Sequence, residues 1–457
     1  MTLIRRLPMP NGRWIEPLLA LIVAGGMIRV LVYLWLNGYL PQPYFYDPAD
    51  TWMDWFNTGD WGRDPGTYDS WGSVYPPLTF VFLKIFGLPQ CYMGGGSDTS
   101  YYARNCDWLG VATLHAFYVL NIVLVALVFI RTNRRTALPR AFALMAGLPM
   151  TSGLERGNII LVTFTCVLLA FGPLIASARL RWTALGLAIN FKLYVIAALF
   201  PQLLRRRWRW FEGAAIATAS VYAMSYGLLG RGSPAELLRN ITGFRDAAQA
   251  NQFLDVLYAA TYGPLYSLLN NQSFPIMTLI GSKYVDLLLV VLPLFTLTVQ
   301  LTIVAAAAAA LLRPEVVPMH RLTNLGLSLA LITVESGGYT HIFPIFFTFF
   351  EKWEGFGRKF AIVLCYVLCF QFDFIIDRAP PVVRETFFGG HNTIVTYYIM
   401  LGPFIRPAVF YLIPFALACT TLRAVWIDIR LQGWKKRWRY RHDVPIMVGM
   451  GTAHPPK

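Results

Sequence analysis

The chain has 457 residues, 56% of them hydrophobic and only 14% charged, against the roughly 25% charged residues of an ordinary soluble domain. That composition excludes one or two soluble cores and makes a bilayer the natural solvent. The net charge of +15 does not indicate nucleic acid, because the basic residues fall in short runs between apolar segments. Arg131-Thr-Asn-Arg-Arg135, Arg205-Arg-Arg-Trp-Arg209 and Lys435-Lys-Arg-Trp-Arg-Tyr-Arg441 have the positive-inside pattern of cytoplasmic loops.

In chain order, residues 1–14 carry Arg5, Arg6 and Arg13, and the apolar run 17–36 follows. It is long enough to span and lacks a small-residue cleavage site, so it reads as a retained first span and not as a removed signal. Spans are predicted over 16–36, 108–130, 138–150, 158–176, 182–191, 193–204, 211–230, 284–312, 321–334, 342–351, 360–377 and 400–425. These are about 12 crossings in one all-α, polytopic membrane domain, 1–457, with both termini and the basic tail 426–457 in the cytoplasm. No internal repeat is evident, and the residues after Asp443 read as disordered.

Several predicted spans are short. The segments 138–150, 182–191, 193–204 and 342–351 have about 10 to 13 residues, against the roughly 20 that a ~30 Å hydrocarbon core needs. Half-length helices are tolerated where their ends line an enclosed or watery cavity. A cavity is therefore expected at the outer face, rimmed by the turns at 150–158, 190–193 and 335–341.

Two long outer segments are predicted, 37–107 and 230–283, both aromatic and amphipathic. Within the first, the apolar piece 78–88 is too short to span and reads as a re-entrant or surface-lying helix. Cys91 and Cys106 flank a Gly-rich loop there. In an oxidising periplasm they would pair, closing a loop worth about 3 kcal/mol in the chain-entropy model. Cys166, Cys365, Cys369 and Cys419 fall in apolar spans and read as inert core residues.

Polar residues near hydrocarbon mark function by default. Asp47, Asp50 and Asp54 crowd among aromatics in Tyr46-Asp-Pro-Ala-Asp-Thr-Trp-Met-Asp-Trp55. Aromatic walls and like charges would lift a carboxylate toward a general base's working range, and Trp52 and Trp55 suit sugar rings; a solvated acidic loop with interfacial Trp anchors is the alternative. Glu155-Arg156-Gly157-Asn158 starts a span at the rim, where an Arg beside a Gly is a phosphate seat or a snorkelling residue paired with Glu155. Lys192 has apolar residues on both sides and should face the cavity and meet an anion, either a ligand or a rim carboxylate. His341, shortly after Glu335, would bind a sugar or phosphate, shuttle a proton, or be structural. Asn271 and Gln272 form a polar cluster late in the second outer segment. No Walker loop, dinucleotide fingerprint, HExxH or nucleophile elbow appears. No cytoplasmic stretch is long enough for a nucleotide-sugar domain, so a donor would be membrane-borne.

The order of these features is an acidic first outer loop, Val74-Tyr-Pro-Pro-Leu78, Arg156-Gly-Asn158, Lys192 with a basic loop after it, Asn271-Gln-Ser273 and His341. It resembles glycosyltransferase family 87 from about Asp47 to Pro344. These are GT-C enzymes that include polyprenyl-phosphate-mannose-dependent mannosyltransferases. The resemblance implies a GT-C fold in a bacterial inner (plasma) membrane, with the active site facing the periplasm. It implies transfer, with inversion and without metal or cofactor, from a polyprenyl-phosphate sugar to a glycolipid or polysaccharide acceptor. It implies Asp50 as catalytic base, with Asp47 as the fallback, and His341 beside it. Arg156 and Lys192 would meet the donor phosphate; Glu335, Asn158, Asn271, Gln272, Tyr75, Trp52 and Trp55 would contact sugar or acceptor. The Trp-rich first loop, the Cys91–Cys106 pair and Asp54, where the pattern usually has Tyr, depart from the family and leave the sugar and acceptor open. A polymerase or ligase using a polyprenyl-diphosphate glycan is the nearest rival. A lipid or sugar transporter or flippase is the second, although it should show inverted repeats.

Overall fold

A computed structural model describes residues 14–45, 47–94, 99–251, 258–263, 280–334, 336–378 and 380–434. Among these, four helices are long and apolar enough to cross a membrane: Ile15–Asn37, Trp108–Thr132, Ser282–Leu312 and Gly402–Gln432. Each divides into a core face and a lipid face. In Ser282–Leu312 the buried residues Val285, Leu292, Val299 and Ala306 recur every two turns, while Leu287, Leu294 and Leu301 are exposed on another side at the same interval. That is the pattern of a helix packed on protein along one stripe and on lipid along another.

The remaining helices are shorter, and local chemistry sets where they stop. Asn133 caps Arg134–Ala146 by accepting the Arg135 N–H at 3.1 Å. Gly147 then interrupts the chain before Leu148–Glu155, which has Pro149 in its first turn. Gly157, at φ +68°, follows the end of that helix, and Asn158 Oδ1 accepts the N–H of Ile160, the first residue of the next helix Ile160–Phe171, at 3.0 Å. Ala178–Phe191 stops at Lys192, whose extended backbone (φ −139°) leads into the 3₁₀ turn Leu193–Ala198. A second 3₁₀ turn, Gly338–His341, precedes the seven-residue helix Ile342–Thr348. Short helices thus occur in these segments with other bounds than expected: the rim turn at 150–158 is helical as far as Glu155, and 193–204 divides into the 3₁₀ turn and the short helix Phe200–Leu204. The breaks leave Arg156, Asn158 and Lys192 at element junctions.

One end of the bundle carries residues 38–107. Its helices Met53–Trp61, Pro77–Ile85 and Thr99–Cys106 pack on one another and on the bundle. Asp107 fastens this layer: fully buried, it accepts hydrogen bonds from the Leu88 N–H (3.1 Å), the Gly110 N–H (3.0 Å) and the Tyr92 hydroxyl (2.9 Å). Cys91 and Cys106 are disulfide-bonded, with Cα atoms 5.6 Å apart. The same end carries a feature that an all-helical reading lacks. Ile375–Arg378 pairs antiparallel with Tyr398–Met400, and Val382–Glu385 with Asn392–Val395. This ribbon is stitched to the end of the first helix: the Phe387 N–H donates to the Gly38 carbonyl at 2.6 Å and the Thr393 hydroxyl to the Asn37 carbonyl at 3.0 Å.

The opposite end is held by dry ion pairs. Arg140 grips Glu16 through two hydrogen bonds of 2.6 and 2.8 Å, and the Tyr366 hydroxyl donates to the same carboxylate at 3.1 Å. Arg321 grips Glu351 through two bonds of 2.6 Å, with His320 at 3.2 Å. A phenylalanine-rich core, including Phe164, Phe343, Phe346, Phe347 and Phe349, fills the space between the two ends.

Candidate functional site

The acidic loop of the first segment docks directly onto the break after Leu148–Glu155. The Trp52 N–H donates to the Glu155 carbonyl at 2.8 Å and the Asp54 N–H to the Arg156 carbonyl at 3.0 Å. Two unusual backbone positions make this close approach possible. Trp52 has φ +66°, in the left-handed region that a bulky side chain rarely enters. Opposite it, a Cβ on Gly157 would lie 2.6 Å from the Trp52 carbonyl oxygen, and φ there is +68°. Only glycine meets both demands. Strain of this kind persists where the surroundings over-determine it, and it clusters at working sites.

This docking makes a carboxylate cluster around one cation. Arg156 pairs with Asp50 through Nη1 and with Asp54 through Nη2, the second contact at 3.1 Å. Asn158 donates to the other Asp54 oxygen at 2.8 Å. Both Asp54 oxygens are therefore occupied, whereas Asp50 Oδ1 accepts no hydrogen bond among the described residues. Burial raises the Asp50 carboxyl above its ordinary range; Arg156 works against this, and Asp54 and Asp47 add to the rise. The Glu155 carboxyl, at the last residue of Leu148–Glu155 and outside the helices long enough to span, is buried and pushed up to about 8 by that burial. Arg156 pulls it down and its two Asp neighbours push it up. Among the described residues its Oε1 has no hydrogen-bond partner.

Asp47 is used differently. It caps the 3₁₀ turn Pro48–Asp50 through the Ala49 N–H at 3.0 Å and pairs with Arg384 of the β-ribbon at 2.9 Å. Arg104 also holds this turn, donating to the Pro48 carbonyl at 2.9 Å and to the Ala49 carbonyl. Phe387 packs edge-on against Trp52. The ribbon thus closes over the loop.

Lys192 occupies a second place. It is 8% exposed, and its ammonium donates to the Tyr75 hydroxyl at 3.2 Å and lies over the Tyr75 ring at 4.4 Å. It faces a cavity of about 450 Å³ whose walls include Tyr75, Phe191, Tyr194, Phe200, Tyr339 and Thr340. Among the described residues Lys192 makes no ion pair, and no other lining residue is cationic. Tyr339 of the cavity wall packs on the helix Leu148–Glu155 that precedes Arg156: a Cβ on Gly153 would lie 3.8 Å from that of Tyr339.

The structure therefore brings Asp50, Arg156, Asn158 and Trp52 together in one group, and Lys192 with Tyr75 in another. His341 joins neither group. It is fully buried, with its ring 4.7 Å from that of Phe410 and 6.1 Å from that of Tyr258. Trp55 is 2% exposed, against Phe82 in the core, and offers no face to a sugar. Glu335, Asn271 and Gln272 lie outside the described residues. Three further residues shape the site without standing out in the sequence. Glu155 reads as a partner for Arg156 and not as a buried acid. Arg104 looks like one more loop cation. Arg384 belongs to a ribbon whose signal was available, in Gly389-Gly390 between Val382-Val383 and Thr393-Ile-Val395.

A family model described as glycosyltransferase family 87 matches residues 73–334. The match takes in Tyr75, Arg156, Asn158 and Lys192; Asp50 precedes it and His341 follows it. No curated protein and no solved structure matches the chain. The family match covers more than half of the sequence, and the chain belongs to glycosyltransferase family 87.

Proposed function

We propose that this membrane glycosyltransferase takes a sugar from a polyprenyl-monophosphate donor and passes it, with inversion, to a glycolipid or polysaccharide hydroxyl at the extracytoplasmic face. The observation that carries the reading is the Lys192 cavity. A buried ammonium that makes no ion pair among the described residues, in a mostly apolar enclosure, calls for an anion with a greasy body. A polyprenyl phosphate has that chemistry. The rival diphosphate donor brings more charge than one lysine balances.

In this reading the donor phosphate receives hydrogen bonds from Lys192, with the sugar directed toward the carboxylate cluster. The acceptor oxygen attacks the anomeric carbon as the bond from that carbon to the phosphate oxygen breaks. The bonding pair leaves with the phosphate, where the Lys192 charge stabilises it. The hydroxyl proton passes to Asp50 Oδ1, the oxygen left free by Arg156. Arg156, read from the sequence as a second phosphate ligand, here holds Asp50 and Asp54 in place. No metal enters the scheme.

The test is transfer by the purified protein in nanodiscs, supplied with polyprenyl-monophosphate sugars or with polyprenyl-diphosphate glycans. Transfer from the monophosphate alone is expected. Transfer from the diphosphate alone would replace this reading with the polymerase or ligase.

A further inference from the structure

Beside the acidic loop lies an open groove of about 510 Å³. Its walls are Trp52, Arg104, Asn105, Trp108, Ala112 and His115. None of these residues belongs to the donor cavity. The groove starts at the working loop: Trp52 is two residues from Asp50, and Arg104 holds the carbonyls of the two residues before Asp50. It ends on Trp108–Thr132, whose outward residues Val119 and Val123 are exposed.

We infer that this groove binds the acceptor, as an amphiphile whose polyhydroxylated headgroup lies on Trp52, Trp108 and His115 while its apolar tail follows Trp108–Thr132 into the bilayer. The inference rests on the transfer reading above. Three features of the groove support it. Trp108 is 67% exposed at the first position of a membrane-crossing helix, the level at which headgroups sit. The Trp52 and His115 rings meet edge to face at 5.2 Å, giving a corner of two rings for the apolar face of a sugar. His115 Nδ1 lies 2.8 Å from the Val111 carbonyl, which can only accept, so Nδ1 donates there and Nε2 is the ring nitrogen left for a hydroxyl. The acceptor then has its own seat beside Asp50, built from residues that do not line the donor cavity.

Two measurements test this. Trp108→Ala and His115→Ala should each raise the acceptor KM about tenfold while donor KM and kcat stay within about twofold, the signature of lost uniform binding. An unchanged acceptor KM, or a change in donor KM instead, overturns the assignment. A binding test needs no turnover: the thiol introduced by Ala112→Cys is labelled with a maleimide in nanodiscs, with and without n-octyl mannoside below its micellar concentration. Labelling should slow at least threefold with the glycoside and not with mannose or octanol alone; equal rates overturn the groove. If Asp50→Asn left transfer intact while the thiol was protected, the catalytic reading would fail and the groove would stand.

Discussion

Arginine and carboxylate meet at both ends of this bundle, and they do different things there. At one end Arg140–Glu16 and Arg321–Glu351 are closed: every side chain is 5% exposed or less, and each pair is joined by two hydrogen bonds. At the other end Arg156 serves Asp50 and Asp54 at once, the three side chains are each 23% exposed, and one Asp50 oxygen is left over. Balanced and dry, an ion pair is a staple. Over-supplied with carboxylate and open to solvent, the same chemistry leaves a carboxylate oxygen free, the one proposed above to accept the proton.

Substitutions that respect this division should separate activity from stability. The largest effect is expected from Asp50→Asn, which keeps shape and removes the base: transfer should fall about 10²–10⁴-fold, while thermal unfolding in detergent stays unchanged. Arg140→Ala should do the reverse. It leaves Glu16 buried and unpaired, costing about 3–5 kcal/mol, seen as an early unfolding transition with near-normal turnover per folded molecule. If it abolished turnover without destabilising the fold, the two ends would not differ as described.

Gly157→Ala is intermediate and touches both properties. It brings a Cβ against the Trp52 carbonyl at positive φ, costing about 1–3 kcal/mol, and pushes the acidic loop off Arg156. Activity should fall further than stability.

Glu155→Gln sharpens the comparison through pH. The folded-state pKa of Glu155 is raised to about 8 from an unfolded value near 4.5, so the folded protein holds the proton more tightly than the unfolded chain. Its contribution is fully favourable below about 4.5. It declines as pH rises through the window from about 4.5 to about 8, where the unfolded chain releases the proton first. Glu155→Gln should flatten that decline in unfolding measured across the window; an unaltered slope would place the proton elsewhere.

The smallest effect is expected for Arg384→Ala. Its pair with Asp47 is 41% and 22% exposed, and such pairs are worth about 0–1 kcal/mol.

These contrasts also mark how far the sequence could be read. Half-length helices were legible because span length is a local property, and their breaks put Arg156 and Lys192 at junctions, as the structure has them. That Asp50 and Asp54 would close on Arg156 was not legible. It depends on Trp52 adopting a left-handed backbone and on Gly157 leaving room, a tertiary match between segments about a hundred residues apart. His341 shows the same limit: position in a turn does not say which way a ring faces, and this ring turns into Phe410 and Tyr258. Glu16 was passed over because an acid at the start of an apolar run reads as interfacial, and its partner Arg140 lies in another predicted span. The β-ribbon was lost because a domain read as helical gave no reason to look for alternation around Gly389-Gly390.

The account stands on one claim, that Lys192 and Asp50 face the two ends of a single polyprenyl-phosphate sugar. Cryo-EM of the Asp50→Asn protein in nanodiscs, saturated with a polyprenyl-monophosphate sugar, tests it directly. The account predicts phosphate density within hydrogen-bonding distance of Lys192 Nζ and sugar density reaching the residue at position 50. Phosphate density at Arg140 or Arg321, or a filled Lys192 cavity with the sugar pointing away from the acidic loop, would contradict it.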